Sequence, residues 1–518
     1  MPTANAVTRE PPSDTDFLGH PRGLFVCFAT EMWERFSFYG MKFLLLLYLT
    51  KYHLFSDSNG LEVLGSYAAL VYAMPVIGGL LADRYLGMRK AVIFGGVLLA
   101  LGHLGMAVEG EQARWIGEKI VRDEGALQVF YLSLAFIVIG VGFLKPNIST
   151  IVGRLYGDDD PRRDAGFTIF YMGINIGAFT ATLLCGYLGE TYGWRYGFGV
   201  AGIGMVIGLI TFLYGQKYLH GLADPHDKAI LRQKSPLGLN KELTIYLGGL
   251  LAVIAAWQML QFHGAVDWTL HSLSVAVLLG LTWFLAVKCN PVERSRMLVL
   301  LILTVSTVVF WALFEQAAAS MTLYADRVLD RRVLGQEMTA SQFGSLNAFF
   351  IFLFAPLFAW LWTFLGRRGL EPSTPVKFSL GIAQAGLGFG ALVIGAASPN
   401  AAGLVAGYWL VLAYLLHTTG ELCLSPVGLS AVTKLAVPSV VGVMMGSWFL
   451  ATAYSEFVAV QLAKLAAIET VDGAVTDIAA ALASYTQLFT NLLYTGLAVA
   501  AVLLLLSPLL KKMMHGIH

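Results

Sequence analysis

Several charged side chains lie inside long apolar runs of this sequence, where a charge is costly. They are Glu31, Glu34, Arg35, Lys145, Glu315 and Glu421. A charge at the centre of a bilayer costs about 2.5–3.5 kcal/mol, so the whole set costs roughly 15–20 kcal/mol if it is unpaired. We therefore expect these groups to face one another or a wet cavity, where carboxylates exchange protons and cations hold anionic groups. The alternative is that they form ion pairs that only hold a helical bundle together.

The spacing of these residues places them on shared helix faces. Glu31, Glu34 and Arg35 stand at positions i, i+3 and i+4, and Tyr39 extends the same stripe by one turn. Two shorter stripes lie further along the chain: His417, Glu421 and Ser425 at i, i+4 and i+8, and Trp311 with Glu315 at i and i+4.

Two prolines directly follow members of this set. Pro146 comes after Lys145, and Pro426 comes after Ser425. Proline removes a backbone hydrogen bond and can bend a helix. Bends beside charged residues suit a gated site near the midplane of a membrane.

The composition predicts an all-α integral membrane protein. Of the 518 residues, 57% are hydrophobic and only 13% are charged, whereas a soluble domain has about 25% charged residues. The net charge of +1 leaves no basic surplus to bind nucleic acid. The four cysteines lack metal-ligand spacing, so we expect no metal and no other cofactor. The first apolar run is too long and too charged for a secretory signal.

About fourteen apolar runs are long enough to span a bilayer, which takes about 20 residues. They lie near 24–52, 62–83, 90–109, 127–153, 164–189, 195–216, 243–262, 269–288, 297–325, 342–365, 376–397, 402–433, 439–467 and 482–510. Lysine and arginine concentrate in alternate loops, and both ends of the chain lie on the cation-rich side. The positive-inside rule then predicts a multi-pass membrane protein with both termini in the cytoplasm.

The runs divide into six, two and six. The predicted order is a cytoplasmic tail (1–22), a six-helix bundle (23–216), a cytoplasmic linker (217–242), an accessory hairpin (243–288), a second six-helix bundle (289–510) and a cytoplasmic tail (511–518). Carriers built from two six-helix bundles hold their substrate between the halves near the midplane. We therefore expect the charged stripes to meet at that junction.

Six motifs resemble those of the proton-coupled oligopeptide transporters of the major facilitator superfamily. In the first half, 31–40 looks like the ExxER motif of the family, and 78–87 resembles the superfamily signature. The segments 142–147 and 170–177 look like the two peptide-transporter signatures. In the second half, 310–316 and 420–426 resemble site motifs of the family. The hairpin between the halves is similar to that of prokaryotic members. The resemblance implies a major facilitator fold and a symporter, not an enzyme, that imports di- and tripeptides with protons by alternating access.

The resemblance also implies roles for single residues. Proton coupling falls to Glu31, Glu34, Arg35, Lys145 and Glu315, and Glu315 pairs with Lys145 in one state. The implied peptide-binding set is Arg35, Tyr39, Tyr72, Lys145, Asn175, Trp311, Asn347, Glu421, Ser425 and Trp448. Within that set, Glu421 receives the amino terminus of the peptide. A zwitterionic peptide fits such a clamp physically, because a cationic first half then faces an anionic second half.

Other classes of protein fit the sequence less well. The GxGxxG pattern at 197–202 lies in an apolar helical run without a preceding strand, so we interpret it as close helix packing. The sequence has no HExxH or GxSxG motif of an enzyme, and no repeated pore loop of a channel. A carrier of another small solute, such as nitrate or an amino-acid derivative, stays open because the family includes such carriers.

Overall fold

The computed structural model describes residues 16–157, 160–225, 227–236 and 238–517. The predicted N-terminal tail therefore lies mostly outside the described residues, and so does the last residue, His518. The described strands are only two or three residues long and occur in the loops. They are β1 (Asp16–Phe17), β2 (His20–Pro21), β3 (Arg114–Ile116), β4 (Lys119–Val121), β5 (Leu329–Asp330), β6 (Arg332–Val333), β7 (Gln336–Glu337) and β8 (Val405–Ala406). The pairs β1–β2, β3–β4 and β6–β7 are antiparallel, and β5–β8 is parallel.

Six long helices form the first half of the protein. They are α1 (Arg22–Leu47), α2 (Asp57–Leu81), α3 (Met88–Gly105), α4 (Glu124–Arg154), α5 (Arg163–Tyr192) and α6 (Trp194–Gly215). π-helical turns continue α1 through Tyr48–Tyr52 and α2 through Ala82–Leu86. Helix α1 packs against α5 and α6, while α4 packs against α2 and α3. These contacts make the first half one bundle.

A short helix, α7 (Lys228–Arg232), precedes a hairpin of two long helices, α8 (Lys241–Gln261) and α9 (His263–Val287). Helix α8 packs against α2 and α4, and α9 packs against α2 and against α15 (Val441–Lys464), a helix of the second half. The outward sides of both helices are apolar: Leu251 is 66% exposed and Leu279 is 67% exposed. The hairpin thus lies at the edge of the bundles and presents apolar side chains to lipid.

The second half contains six long helices and a short one. They are α10 (Pro291–Phe314), α11 (Ser320–Arg327), α12 (Ser345–Arg367), α13 (Thr374–Ala396), α14 (Tyr408–Leu435), α15 (Val441–Lys464) and α16 (Ile478–Met513). 3₁₀ turns lie at Gln216–Leu219, Glu315–Ala318, Ser341–Gly344 and Pro438–Val440. Helix α13 packs against α14 and α16, and α10 packs against α13, α14, α15 and α16.

Polar caps fix where several helices begin. Ser56, Asp123 and Asn290 accept backbone N–H groups at the starts of α2, α4 and α10, and Asp477 does the same for α16. Such caps satisfy donors that have no partner inside the helix. They lie in the loops, as expected where a chain leaves the apolar phase.

Thirteen helical segments of the described residues are long and apolar enough to cross a membrane. Helix α1 is not among them, and it carries five charged residues within its 26. Because α1 is packed inside the first bundle, the total of about fourteen spans is confirmed. The helices cross alternately, so α1 starts and α16 ends on one face, here called the terminal face. The opposite, distal face carries the loops around 53–56, 328–344 and 465–477.

One span differs from its prediction. The run at 297–325 reads as a single helix, but α10 ends at Phe314, and a 3₁₀ turn and Ala319 separate it from α11. The two prolines, by contrast, lie within unbroken helices, Pro146 in α4 and Pro426 in α14. The main interruption of the helical backbone is therefore at Glu315.

Glycines bring particular helices into close contact. A Cβ atom on Gly78 would lie 2.0 Å from the carbonyl oxygen of Gly142, so α2 and α4 approach each other closely there. A Cβ atom on Gly197 would lie 2.7 Å from the carbonyl oxygen of Cys185, which joins α6 to α5. The glycine pattern at 197–202 thus serves helix packing, as the sequence predicts.

Candidate functional site

The first group of buried charges lies on a single helix, and we call Glu31, Glu34 and Arg35 the α1 cluster. All three residues are at most 4% exposed. The Arg35 guanidinium donates to both carboxylate oxygens of Glu34, at 2.5 and 2.7 Å, and its Nε lies 3.3 Å from Glu31 Oε1. Glu31 Oε2 is buried and has no hydrogen-bond partner in the described part of the chain. The predicted shared face is thus confirmed, with one carboxylate in excess of the guanidinium.

A second group of buried charges joins the two halves, and we call Lys42, Glu315 and Glu456 the bridging cluster. Lys42 Nζ from α1 donates to Glu315 Oε2 at 2.7 Å and lies 3.5 Å from Glu456 Oε1 on α15. The three side chains are 4%, 12% and 6% exposed. Glu315 thus pairs with Lys42 in this structure, whereas the family resemblance implies Lys145 as its partner in one state.

The sequence-based site omits Lys42 and Glu456. The signal that identified the other residues was nevertheless present, because each is a charged residue within an apolar run. Lys42 also stands seven residues after Arg35, on the same side of α1. The Phe38 ring lies between the two cations, 4.9 Å from the Arg35 guanidinium carbon and 5.9 Å from Lys42 Nζ.

Five of the predicted binding residues line one cavity between the halves, which we call the central cavity. Its volume is about 340 Å³, within the range of small-molecule sites. Tyr72 and Lys145 come from the first half, and Trp311, Ser425 and Trp448 come from the second. Lys145 Nζ lies 5.1 Å from the centre of the Tyr72 ring, a cation–π contact. The cavity therefore presents a cation on one wall and aromatic and hydroxyl groups on the other.

Three other predicted residues line a much smaller space of about 40 Å³ beside the bridging cluster. They are Tyr39, Glu315 and Asn347. Asn347 also donates its amide to Glu421 Oε2 at 3.0 Å and to Thr418 Oγ1 at 3.1 Å. Within the described residues Glu421 has no cation in ion-pair contact, and the residue is 9% exposed.

Three of the predicted binding residues, Asn175, Arg35 and Glu421, line neither space. Asn175 is buried on α5 and donates to the carbonyl oxygen of Tyr171 at 3.0 Å. Arg35 is engaged within the α1 cluster. His417, from the predicted stripe on α14, is buried between the Phe314 and Phe389 rings, and its ring nitrogens have no partner among the described atoms. The structure thus brings together most of the predicted set but not all of it.

Ion pairs between the two halves close the distal face. They are Lys51–Asp326 at 2.7 Å, Asp57–Arg327 at 2.6 Å, Glu62–Lys464 at 2.5 Å and Glu190–Arg331 at 3.9 Å. Together we call them the distal latch. The Asp57–Arg327 pair is bidentate and almost fully buried. At the terminal face, the described residues show no ion pair between the halves. In the described part of the chain, the latch therefore connects the halves at the distal face only.

A larger cavity of about 600 Å³ lies at the terminal face but contains none of the predicted site residues. It is formed entirely by the second half, around Lys377, Lys434 and Lys511. A site that couples movement of two halves needs groups from both. The central cavity meets that requirement, and the larger one does not.

Two helical bundles, with a cavity between them that is lined by Lys145 and by aromatic side chains, define an integral membrane carrier of the major facilitator fold. A sequence profile described as PTR2, POT family, matches residues 89–480. The chain belongs to this family.

Individual relatives extend over nearly the whole chain. A Bacillus subtilis protein called uncharacterized transporter YclF is 39% identical over 509 residues, covering 97% of this chain and 96% of the relative. The peptide transporter YePEPT of Yersinia enterocolitica is 37% identical, covering 86% and 88%. A dipeptide and tripeptide permease A from Erwinia pyrifoliae is 33% identical, covering 95% of each chain.

Solved structures show the same architecture. A structure of a peptide transporter POT in complex with sulfate has a TM-score of 0.79 and 36% identity, and covers 97% of each chain. A POT family transporter in complex with 5-aminolevulinic acid has a TM-score of 0.79 and 29% identity, and covers 96% of this chain and 98% of its own. The fold predicted from the sequence is thereby confirmed.

Proposed function

We propose that this protein imports di- and tripeptides together with protons by alternating access. The observation that carries the proposal is the central cavity, in which Lys145 of the first half faces the second half across a space large enough for a small ligand. The names of the relatives support peptides as the substrate class. The proposal rests on the same groups that the resemblance marks as the family's site.

The bound peptide lies between charges of opposite sign. Its carboxylate faces Lys145, with Arg35 nearby in the α1 cluster, and its ammonium faces Glu421. Charge-assisted contacts of this kind are about twice as strong as neutral ones. Trp311 and Trp448 supply apolar walls for the peptide side chains. Such a site reads the peptide backbone and tolerates varied side chains.

Proton coupling rests on the buried carboxylates. In the α1 cluster, two carboxylates share Arg35, and one of them exchanges a proton as the guanidinium changes partner. Glu315 likewise exchanges a proton as its ion-pair partner changes between Lys42 and Lys145. Entry of one proton through about 100 mV supplies about 2.3 kcal/mol, enough for roughly fiftyfold accumulation.

The proposed location is the bacterial cytoplasmic membrane, with the terminal face in the cytoplasm. The distribution of lysine and arginine supports this orientation. The distal latch then lies outside, and the structure represents an inward-facing state. We propose the domain boundaries predicted from the sequence, with 217–242 as a cytoplasmic linker and 243–288 as the accessory hairpin.

The substrate class can be tested by uptake in proteoliposomes. Labelled dialanine is the substrate, and unlabelled competitors are a dipeptide, a tripeptide, a tetrapeptide and a single amino acid. We expect the di- and tripeptides to compete and the other two to fail. Competition by the amino acid alone would contradict the proposal.

A second candidate substrate is an amino-acid derivative. A relative of similar structure was solved with 5-aminolevulinic acid, which also has a carboxylate and an ammonium at its two ends. 5-Aminolevulinic acid, added as a fifth competitor in the uptake assay, distinguishes peptides from amino-acid derivatives as the substrate class. Inhibition by it without inhibition by peptides would favour the second candidate.

A further inference from the structure

The bridging cluster contains more negative than positive charge. Glu315 and Glu456 both contact Lys42, and Lys42 is the sole cation in ion-pair contact with either carboxylate within the described residues. Two ionised carboxylates and one ammonium give a net charge of −1 in a site that is almost closed to water. An isolated charge in such surroundings is costly, and the site avoids the cost by binding a proton.

The geometry indicates which carboxyl holds that proton. Glu315 accepts a charge-assisted hydrogen bond from Lys42 at 2.7 Å, the shorter of the two contacts that this ammonium makes. Glu456 Oε1 is 3.5 Å from the same ammonium and accepts no hydrogen bond in the described part of the chain. Because both carboxylates contact the same ammonium, their two negative charges lie close to each other. Two like charges around one cation disfavour ionisation of both carboxyls, so the one held less closely, Glu456, takes the proton.

The other titratable groups around Glu456 do not supply a second positive charge. Tyr67 and Tyr72 face it from α2. On the side of α9, His271 packs against the rings of Tyr454 and Phe457, which flank Glu456 on α15. The nearest further cation on α15, Lys464, is held by Glu62 in the distal latch. The surplus negative charge therefore stays with the bridging cluster.

We propose that Glu456 is a proton-binding site of the transport cycle, which extends the proton-coupled function proposed above. One proton from water binds a carboxylate oxygen of Glu456 to give the carboxylic acid, so the bridging cluster becomes neutral and the halves close at the distal face. When the halves separate there, water reaches the cluster and the proton is exchanged. Closure of the distal face thus requires the proton.

The test compares Glu456→Gln with the wild type in proteoliposomes loaded with a pH-sensitive dye. Glutamine has the shape of the protonated acid but cannot exchange a proton. We expect peptide counterflow within about twofold of the wild type. The number of protons that enter with each peptide should fall clearly, and the uptake rate should depend less on pH. Glu456→Asp, which keeps an acid, should recover proton movement. Glu371→Gln is the matched control, because Glu371 is exposed and pairs with Lys377 within the second half.

The remaining outcomes separate this inference from the function on which it rests. Unchanged proton movement per peptide in Glu456→Gln would overturn the inference. Reduced counterflow together with a lowered melting temperature would also overturn the inference, since the residue would then have a structural role. If the wild type itself moves peptide without protons, the proposed coupling fails, whatever the variant does.

Discussion

The α1 cluster and the bridging cluster each set two carboxylates around one cation, but they are built differently. All members of the α1 cluster lie on one helix, so their distances do not depend on how the two halves are placed. The bridging cluster takes Lys42 from one half and Glu315 and Glu456 from the other. Its ion pairs exist only while the halves are closed at the distal face. The α1 cluster can therefore respond to ligand and proton, whereas the ion pairs of the bridging cluster also depend on the conformation of the two halves.

Loss of Lys42 should have the largest effect. Lys42→Met leaves Glu315 and Glu456 buried without a cation, and removing one partner of a buried ion pair costs about 3–5 kcal/mol. We expect a clearly lower melting temperature in detergent and no concentrative uptake. Lys42→Arg keeps the charge and serves as the control. An unchanged melting temperature in Lys42→Met would mean that the bridging cluster does not stabilise this state.

Glu421→Gln should come next, because it acts on the ligand and not on the closed state. If Glu421 receives the peptide ammonium, the contact is worth about 1.5–3 kcal/mol, so binding of a free dipeptide should weaken roughly ten- to hundredfold. The same peptide with an acetylated amino terminus should bind poorly to both forms. Equal losses for both peptides, with a lowered melting temperature, would assign Glu421 a structural role instead.

Glu34→Gln should abolish proton-driven accumulation of peptide but preserve peptide counterflow. The variant cannot exchange a proton at this position, yet glutamine can still hold Arg35 through one oxygen. We expect counterflow to persist while the accumulation ratio falls from as much as roughly fiftyfold to about one. Full concentrative uptake by this variant would remove Glu34 from the coupling scheme.

The smallest effect is expected at the rim of the distal latch. Lys51 is 37% exposed in its pair with Asp326, and exposed ion pairs contribute about 0–1 kcal/mol. Lys51→Gln should therefore change the melting temperature little and leave uptake nearly intact. A loss comparable to that of Lys42→Met would show that exposure is a poor guide to the energetics of the latch.

The same comparison explains what the sequence could reveal. The α1 cluster follows from spacing within a helix, because i, i+3 and i+4 positions always share a face. The pairing of Lys42 with Glu315 and Glu456 spans 273 residues or more and depends on how α1, α10 and α15 are packed. Fourteen spans and the two halves follow from hydropathy, since lipid imposes the length of each helix.

The break after Phe314 has no local signal in the sequence. The segment from Phe314 to Ser320 contains neither glycine nor proline. Instead, Gln316 donates to the carbonyl oxygen of Ala459 at 2.8 Å and accepts from Ser320 Oγ at 2.6 Å. Contacts with α15 thus override a sequence that favours helix.

Coupled entry of protons and peptide is the most direct test of the proposed transport function. Proteoliposomes containing the wild-type protein and a pH-sensitive dye are given a dipeptide under an inside-negative potential, and acidification is recorded together with peptide uptake. We expect the interior to acidify in proportion to the peptide that enters, and neither signal to appear with an acetylated peptide. Accumulation of peptide at constant internal pH would contradict it.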